Sequence, residues 1–138
     1  MRVHVLDANA LYRYLTNGDG AEVVADVFRQ ALAANTPVIM SVINWGEVFY
    51  TSVKYIGLTK SERLLTQALE NIPLSLIIVQ KENAFRAARI NAQYGIPYAD
   101  AYAAELTGGQ HVLVTADVDH FARIPKIRLL KLPSHKKQ

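Results

Sequence analysis

The chain contains no cysteine among its 138 residues, and this absence excludes several kinds of site. Disulfide bonds, thiolate metal centres and cysteine nucleophiles all require cysteine. A chain without disulfides fits the reducing cytoplasm, which is the location we expect. The histidines show none of the spacings typical of zinc sites, so zinc is not expected either. These histidines are His4, His111, His120 and His135.

The sequence also lacks a long hydrophobic run. No stretch approaches the roughly 20 apolar residues that cross a bilayer. Asp7 interrupts the short apolar stretch at the N-terminus, where a secretion signal would have to be continuous. Hydrophobic residues make up 51% of the chain and charged residues 20%, which is typical of a folded domain with a buried core. We expect one domain over residues 1–133 and no association with membranes.

Acidic residues are missing from the last part of the chain. After Asp119 every Lys, Arg, Asp or Glu is basic: Arg123, Lys126, Arg128, Lys131, Lys136 and Lys137. Residues 134–138 are therefore predicted to form a short basic tail in solvent. The net charge of +3 is only a weak indicator of nucleic acid binding. A basic segment beside an acidic pocket would nevertheless suit a polyanion.

Short apolar runs alternate with helical patterns along the sequence. The alternation is typical of βαβ units, and the continuous apolar character of the runs favours strands buried on both faces. The strand-like runs cover 3–6, 38–40, 74–79, 112–115 and 127–130, and clear helical patterns cover 21–34, 81–94 and 99–106. Thr59-Lys60-Ser61-Glu62 resembles a capping box and predicts the start of another helix. The expected fold is one three-layer α/β/α domain with a mostly parallel five-stranded sheet.

Four acids lie at the end of an apolar run or just inside the helix that follows it: Asp7, Glu47, Asp100 and Asp117. Taken singly, each has a structural explanation as a helix cap, a turn residue, a partner of the helix dipole or a solvated side chain. The carboxyl ends of parallel strands meet at one edge of a sheet, so together the acids are expected to converge. Because clustered carboxylates repel one another unless a cation joins them, the pattern predicts a metal site.

Small polar residues accompany the acids at the same predicted edge. They are Asn9, Ser41, Asn44 and Thr115. Carboxylates supported by hydroxyls, amides and water are the ligands that hard divalent cations prefer. The predicted cofactor is therefore Mg²⁺ or Mn²⁺.

The four acidic segments resemble the motifs of a known family. VLDANAL, SVINWGEV, YADAYAAEL and VTADVDHF are similar, in this order, to the acidic motifs of PIN domains. The resemblance is strongest to the small single-domain VapC toxins of toxin–antitoxin modules, and it covers essentially the whole chain. It implies a PIN-like fold and a metal-dependent endoribonuclease that cleaves RNA phosphodiester bonds as the toxin of a type II pair. It also implies a small antitoxin partner and a homodimer.

The resemblance assigns roles to individual residues. Asp7, Glu47 and Asp100 match the core acids, and Asp117 matches the more variable fourth acid. We expect all four to be catalytic and to bind the metal, with Asp7 and Asp100 the most direct ligands. The supporting positions are Asn9, Ser41, Thr115 and Asp119, and Asp119 is also a second candidate for the last motif, ranked below Asp117. Independently of the resemblance, Lys54 lies two turns after Glu47 on the same helix face and is the first candidate for a phosphate contact.

Other side chains near the motifs have a more ordinary interpretation. Trp45 and Tyr98 could stack on bases, but core packing is favoured for both. His120 could touch substrate, but a lone loop histidine is more often simply exposed. Arg86 and Arg89 are weaker candidates than Lys54 for binding phosphate.

Two other functions fit the sequence less well. An aspartate-nucleophile phosphotransferase commonly needs a second Asp two residues after the first, where this chain has Asn9, and a receiver domain needs an Asp where the third run ends in Gln80. A non-catalytic PIN-like module that binds RNA or protein is disfavoured by the complete set of acids. The sequence leaves that second alternative open.

Overall fold

A five-stranded parallel sheet forms the middle layer of the structure, a computed structural model that describes residues 2–133. The strands are β1 (His4–Leu6), β2 (Val38–Ser41), β3 (Leu74–Ile77), β4 (Val112–Thr115) and β5 (Arg128–Lys131). They are ordered β3-β2-β1-β4-β5, and every neighbouring pair runs parallel. The sheet is thus wholly parallel rather than mostly so. The predicted basic tail, 134–138, lies outside the described residues.

Helices cover both faces of the sheet. Within the described residues they are α1 (Ala8–Leu15), α2 (Ala21–Ala34), α3 (Val42–Ile56), α4 (Leu58–Asn71), α5 (Lys81–Tyr94), α6 (Tyr98–Thr107) and α7 (Val118–Phe121). One buried core joins the sheet to α1–α4, a second joins it to α6 and α7, and a third lies between α5 and α6. This arrangement confirms the predicted three-layer α/β/α fold. No helix in this part of the chain is long and apolar enough to cross a membrane.

The central strands explain why the apolar runs are continuous in sequence. Side chains of successive strand residues point to opposite faces, so Leu6 packs in the core beneath α1–α4 while Val5 packs in the core beneath α6 and α7. The same alternation places Val114 and Leu113 of β4 in those two cores. Since both faces are covered by helices, consecutive buried positions of such a strand are apolar, apart from polar residues at the strand ends such as His4 and Thr115.

Most of the predicted helices and strands are present, but the predicted start of one helix is wrong. Helices over 21–34 and 81–94 have the predicted bounds, whereas α7 was not predicted. The capping box at Thr59 does not form, because α4 begins at Leu58 and Thr59 already lies inside its first turn. Gly57, with φ of 83°, ends α3 and directly precedes α4. A left-handed φ of this kind favours glycine, which explains why the junction needs no other turn residue.

Candidate metal and active site

Four acids meet at the carboxyl edge of the sheet. Asp7 directly follows β1, and Asp117 lies just beyond the end of β4, the strand that pairs with β1. Glu47 projects from α3 and Asp100 from the first turn of α6. All four line one open cavity of about 220 Å³, together with Ala8, Asn9, Tyr12, Val48 and Thr51. The structure therefore brings together acids that are up to 110 positions apart in the sequence.

Asp7 is the most buried of the four acids, with 6% of its surface exposed. Its Oδ1 accepts a hydrogen bond from the backbone N–H of Ala10 at 2.8 Å, which caps α1. Its Oδ2 accepts one from Thr115 Oγ1 at 2.5 Å. Burial raises the pKa of Asp7 to about 6; the charges of Asp100 and Asp117 add to this, while the two hydrogen bonds oppose it. Asp7 is thus both a helix cap and a cavity-lining acid.

Thr115 connects two of the acids. Its hydroxyl donates to Asp7 and accepts a hydrogen bond from the backbone N–H of Asp117 at 2.9 Å. The side chain is fully buried at the end of β4. Thr115 therefore links the ends of β1 and β4 through these two hydrogen bonds.

Glu47 is held by a buried amide rather than projecting freely into solvent. Asn44 Nδ2 donates to Glu47 Oε1 at 2.8 Å and to the backbone oxygen of Ala99 at 3.0 Å. Asn44 thereby links α3 to the first turn of α6, which carries Asp100. Burial raises the pKa of Glu47, the Asn44 hydrogen bond opposes that rise, and the charge of Asp100 adds to it.

His120 joins the acidic cluster, whereas the sequence favoured a simply exposed loop histidine. Its Nδ1 lies 2.6 Å from Asp117 Oδ2 and 3.3 Å from Asp100 Oδ2. Both contacts are within ion-pair distance, but neither has hydrogen-bond geometry, so Nδ1 is a buried atom with no hydrogen-bond partner among residues 2–133. Burial and the charge of Asp117 raise the pKa of Asp100, and His120 opposes that rise. One ligand atom from each of these three residues falls within 4.8 Å of the others.

The short helix α7 explains how His120 reaches the site. Asp117 caps this helix by accepting a hydrogen bond from the backbone N–H of His120 at 3.3 Å. One helical turn then places the side chains of residues 117 and 120 on the same face. The spacing of Asp117 and His120 in VTADVDHF is the signal that could have identified the histidine.

Thr115 and Asn44 contact the acids without lining the cavity, and three other residues predicted near the site are also outside its lining among residues 2–133. Ser41 is buried, and its Oγ accepts a hydrogen bond from the backbone N–H of Ile43 at 3.2 Å, which caps α3. Asp119 is exposed in the first turn of α7, and Lys54 is exposed in the last turn of α3. Asn9, by contrast, is exposed and lines the cavity.

The two aromatic residues beside the motifs differ in their surroundings. Trp45 packs against the main core, as the sequence favours. Tyr98 is 46% exposed, and its hydroxyl lies 2.7 Å from that of Tyr102. Tyr98 is therefore not a core residue, and the core-packing interpretation is wrong for it. The reason is that α6 buries Ala101, Ala103 and Ala104 instead, which leaves its first residue at the surface.

The lining of the cavity fits a hard divalent cation. Within the described chain it contains four carboxylates and no Lys or Arg side chain. Mutual repulsion contributes to the raised pKa of Asp7, Glu47 and Asp100, and a cation would relieve it. Two buried polar atoms beside the acids, Asn44 Oδ1 and His120 Nδ1, also have no hydrogen-bond partner among residues 2–133. The carboxylate oxygens of the four acids are the type of ligand that suits Mg²⁺ and Mn²⁺.

Comparison with known proteins identifies the fold and the family. Residues 4–127 match the PIN domain family model. No curated protein sequence matches the chain significantly. Among solved structures, DNA-bound VapBC from Salmonella typhimurium is similar, with a TM-score of 0.73 and 19% identity over 95% of this chain and 98% of that chain.

Two further solved structures share the fold. VapC20 from Mycobacterium tuberculosis, described as a toxin that cleaves the sarcin–ricin loop, has a TM-score of 0.66 and 15% identity over 91% of this chain and 98% of that chain. VapBC-1 from nontypeable Haemophilus influenzae has a TM-score of 0.64 and 17% identity over 94% and 97%. The family match covers most of the sequence, and the chain has the same overall fold as these solved proteins. The acids lie at one edge of its sheet. The chain therefore belongs to the PIN domain family.

Proposed function

We propose that this PIN domain protein is a metal-dependent endoribonuclease and the toxin of a type II toxin–antitoxin pair. The observation that carries the proposal is the convergence of Asp7, Glu47, Asp100 and Asp117 on one cavity. Such a site can hold a divalent ion against a phosphodiester, whose negative charge would otherwise be repelled by the acids.

Asp7 and Asp100 would hold Mg²⁺ or Mn²⁺ most directly, with Asp117 and Glu47 completing the acidic set. When bound, the ion would supply a Lewis acid for a phosphoryl oxygen and lower the pKa of a coordinated water. Thr115 and the α1 backbone restrain Asp7, so that its carboxylate is already oriented before substrate arrives. Preorganised ligands of this kind avoid the cost of ordering them during the reaction.

Glu47 is the acid best suited to accept a proton. It is half-buried, its pKa is raised, and Asn44 fixes one of its two oxygens. A raised pKa makes a carboxylate a stronger base near neutral pH. We assign Glu47 the proton that the attacking water loses as its oxygen bonds to phosphorus. The bond from phosphorus to one sugar oxygen breaks in the same reaction, and solvent supplies the proton that this leaving oxygen gains.

The toxin assignment is supported by the proteins that share the fold. The similar chains include toxins in VapBC complexes, and the matches cover these chains and ours almost fully. We therefore propose a small antitoxin protein as partner, a homodimer as the assembly, and RNA as the substrate. The chemistry of the cavity is consistent with an RNA phosphodiester but does not select one RNA over another.

The test compares Asp7→Asn with Asp119→Asn, which removes an exposed acid of the same segment as Asp117 but outside the cavity. RNA ends are mapped after brief expression of each protein, and purified proteins are assayed with Mn²⁺ or with EDTA. We expect Asp7→Asn to lower cleavage by at least about a hundredfold, because a ligand to the ion is lost, while Asp119→Asn cleaves like wild type. Equal cleavage by wild type and Asp7→Asn would refute the nuclease proposal and favour a non-catalytic binding module.

A further inference from the structure

A second cavity lies at the opposite edge of the sheet from the acids. Its volume is about 330 Å³, and its lining includes Gly109, just before β4, and Lys126, just before β5. It therefore opens at the amino ends of the strands whose carboxyl ends carry the acidic site. The two cavities share no lining residue. Any ligand of the second cavity would bind apart from the acidic cluster.

The rim of this cavity carries an excess of positive charge. Arg86, Arg89 and Lys126 line it, against the single acid Glu105. The Glu105 side chain is only 4% exposed and pairs with Arg86, whose Nη2 lies 2.7 Å from Oε1. Asn83 also donates to this carboxylate. Because Glu105 is already neutralised by Arg86, the charges of Arg89 and Lys126 remain available for an anion.

A local restraint acts on each of these two residues. The guanidinium of Arg89 lies 5.1 Å from the centroid of the Phe85 ring, a distance typical of a cation–π contact. Lys126 has φ of 64°, in the left-handed region that costs a residue other than glycine about 1–2 kcal/mol. Backbone strain of this kind persists where the surrounding structure imposes it. It restrains the backbone of Lys126, whose side chain is exposed at the rim.

The floor of the cavity is apolar. Ile90 of α5 and Ile124 and Ile127 of the segment before β5 lie among the lining residues. An inorganic anion would gain nothing from such a floor, whereas a ligand with both an anionic group and an apolar body would use floor and rim together. The volume also falls at the lower end of the roughly 300–1,000 Å³ typical of small-molecule sites.

We propose that this cavity binds a nucleoside phosphate, with the base over the isoleucine floor and the phosphate beside Arg89 and Lys126. Guanidinium and ammonium groups are the side chains that bind phosphate most often, and a base supplies a flat apolar face. The nucleotide can be free or can be one unit of an RNA strand, since both present the same chemistry. The inference does not depend on the acidic site being a nuclease.

The test measures binding of a fluorescent derivative of adenosine monophosphate to the full-length protein by polarisation, in EDTA. The variant is Lys126→Gly with Arg89→Gln; glycine accepts the left-handed φ, so the first change removes a charge without adding strain. The control is Lys60→Gln with Arg63→Gln, which removes two exposed charges from α4. We expect the variant to bind at least about tenfold more weakly, as the loss of charge-assisted hydrogen bonds implies, and the control to bind like wild type.

Competitors identify the part of the ligand that is recognised. Adenosine monophosphate should displace the probe, whereas inorganic phosphate and adenosine should each do so more weakly. A 5′-phosphorylated RNA oligonucleotide that competes better than the free nucleotide would identify RNA as the source, and equal competition would identify the free nucleotide. The proposal is overturned if wild type does not bind the probe, if variant and control bind equally, or if inorganic phosphate competes as well as the nucleotide. Circular dichroism of the variant checks that it is folded.

Discussion

At the scale of single residues, Asp7 combines a structural and a chemical role. It caps α1 while its carboxylate lies among three other acids, and its pKa of about 6 reflects this environment. An unfolded chain would have an Asp pKa of about 3.9. A group whose pKa is raised by folding stabilises the protein below its unfolded pKa, and this stabilisation is lost as the pH rises through the folded pKa. Asp7 therefore destabilises the metal-free protein at neutral pH.

Asp7→Asn should accordingly stabilise the protein when metal is removed. In EDTA we expect wild type to lose up to about 3 kcal/mol as the pH rises from about 4 to 7, from a shift of about two pKa units. Asn is as good a helix cap as Asp and carries no charge. Its amide nitrogen cannot accept the hydrogen bond from Thr115, but this loss of about 1 kcal/mol is smaller than the effect of the charge, so Asp7→Asn should still remove most of this slope. Urea unfolding at several pH values measures it. A variant less stable than wild type at pH 7 in EDTA would contradict the expectation.

Thr115 acts on the acids without lining the cavity. Thr115→Val keeps the shape of the side chain but removes the donor to Asp7 and the acceptor for the Asp117 backbone. We expect Mn²⁺ affinity and cleavage to fall by about 10–100-fold, as is usual when a group that orients a metal ligand is lost. Calorimetric titration measures the affinity for Mn²⁺. Thr115→Ser restores the hydroxyl and should recover most of the Mn²⁺ affinity and most of the cleavage activity. If it does not, the packing of the threonine methyl group rather than the hydrogen bonds is responsible for the loss.

The convergence of the four acids could be predicted from the sequence, but the orientation of two neighbouring side chains could not. The end of a parallel strand fixes where Asp7 and Asp117 must lie, whatever their side chains do. Whether a small polar side chain turns to a helix N-terminus or to the cavity depends on its rotamer, which the sequence does not reveal. Ser41 turns to the helix, and His120 reaches the acids only because α7 forms.

At the scale of elements, the start of α3 shows how a predicted site residue can serve the fold instead. Ser41 supplies the side-chain cap of this helix, which carries Asn44 and Glu47. Ser41→Ala should lower the free energy of unfolding by about 1 kcal/mol, the usual cost of losing an N-cap, and leave the turnover number of the folded enzyme unchanged. Chemical denaturation and an RNA cleavage assay test the two parts. If Ser41→Ala lowers the turnover number without lowering the stability, Ser41 acts in the active site rather than as a helix cap.

Element bounds were predictable where periodicity was strong and failed where tertiary geometry decided. The α2 and α5 patterns run for several turns and end at Asn35 and Gly95, both of which adopt left-handed φ values. At the α3–α4 junction a single residue, Gly57, separates the two helices, so α4 starts at the next residue. A capping-box pattern at Thr59 cannot show that the helix has already begun.

At the scale of the whole molecule, the proposed metal site at the acidic edge would make stability depend on metal. An ion that binds only the folded state stabilises it by about 2.7 kcal/mol at a concentration 100 times its Kd. Mn²⁺ should therefore raise the melting temperature of wild type and of Asp119→Asn, and should leave Asp7→Asn nearly unchanged. Thermal unfolding with Mn²⁺ against EDTA measures this. A similar rise in all three proteins would place the ion outside the acidic cavity.

The strand order also determines when during synthesis the nuclease can exist. β1 lies between β2 and β4, and Leu6 pairs with Val114, so the acidic edge is incomplete until the second half of the chain has been made. A ribosome-bound chain that ends at Gly109 contains Asp7, Glu47 and Asp100 but lacks β4 and Asp117. We expect such stalled chains to leave RNA intact, and released full-length chains to cleave it. A cell translating this protein would thus be exposed to the activity only once translation is nearly complete.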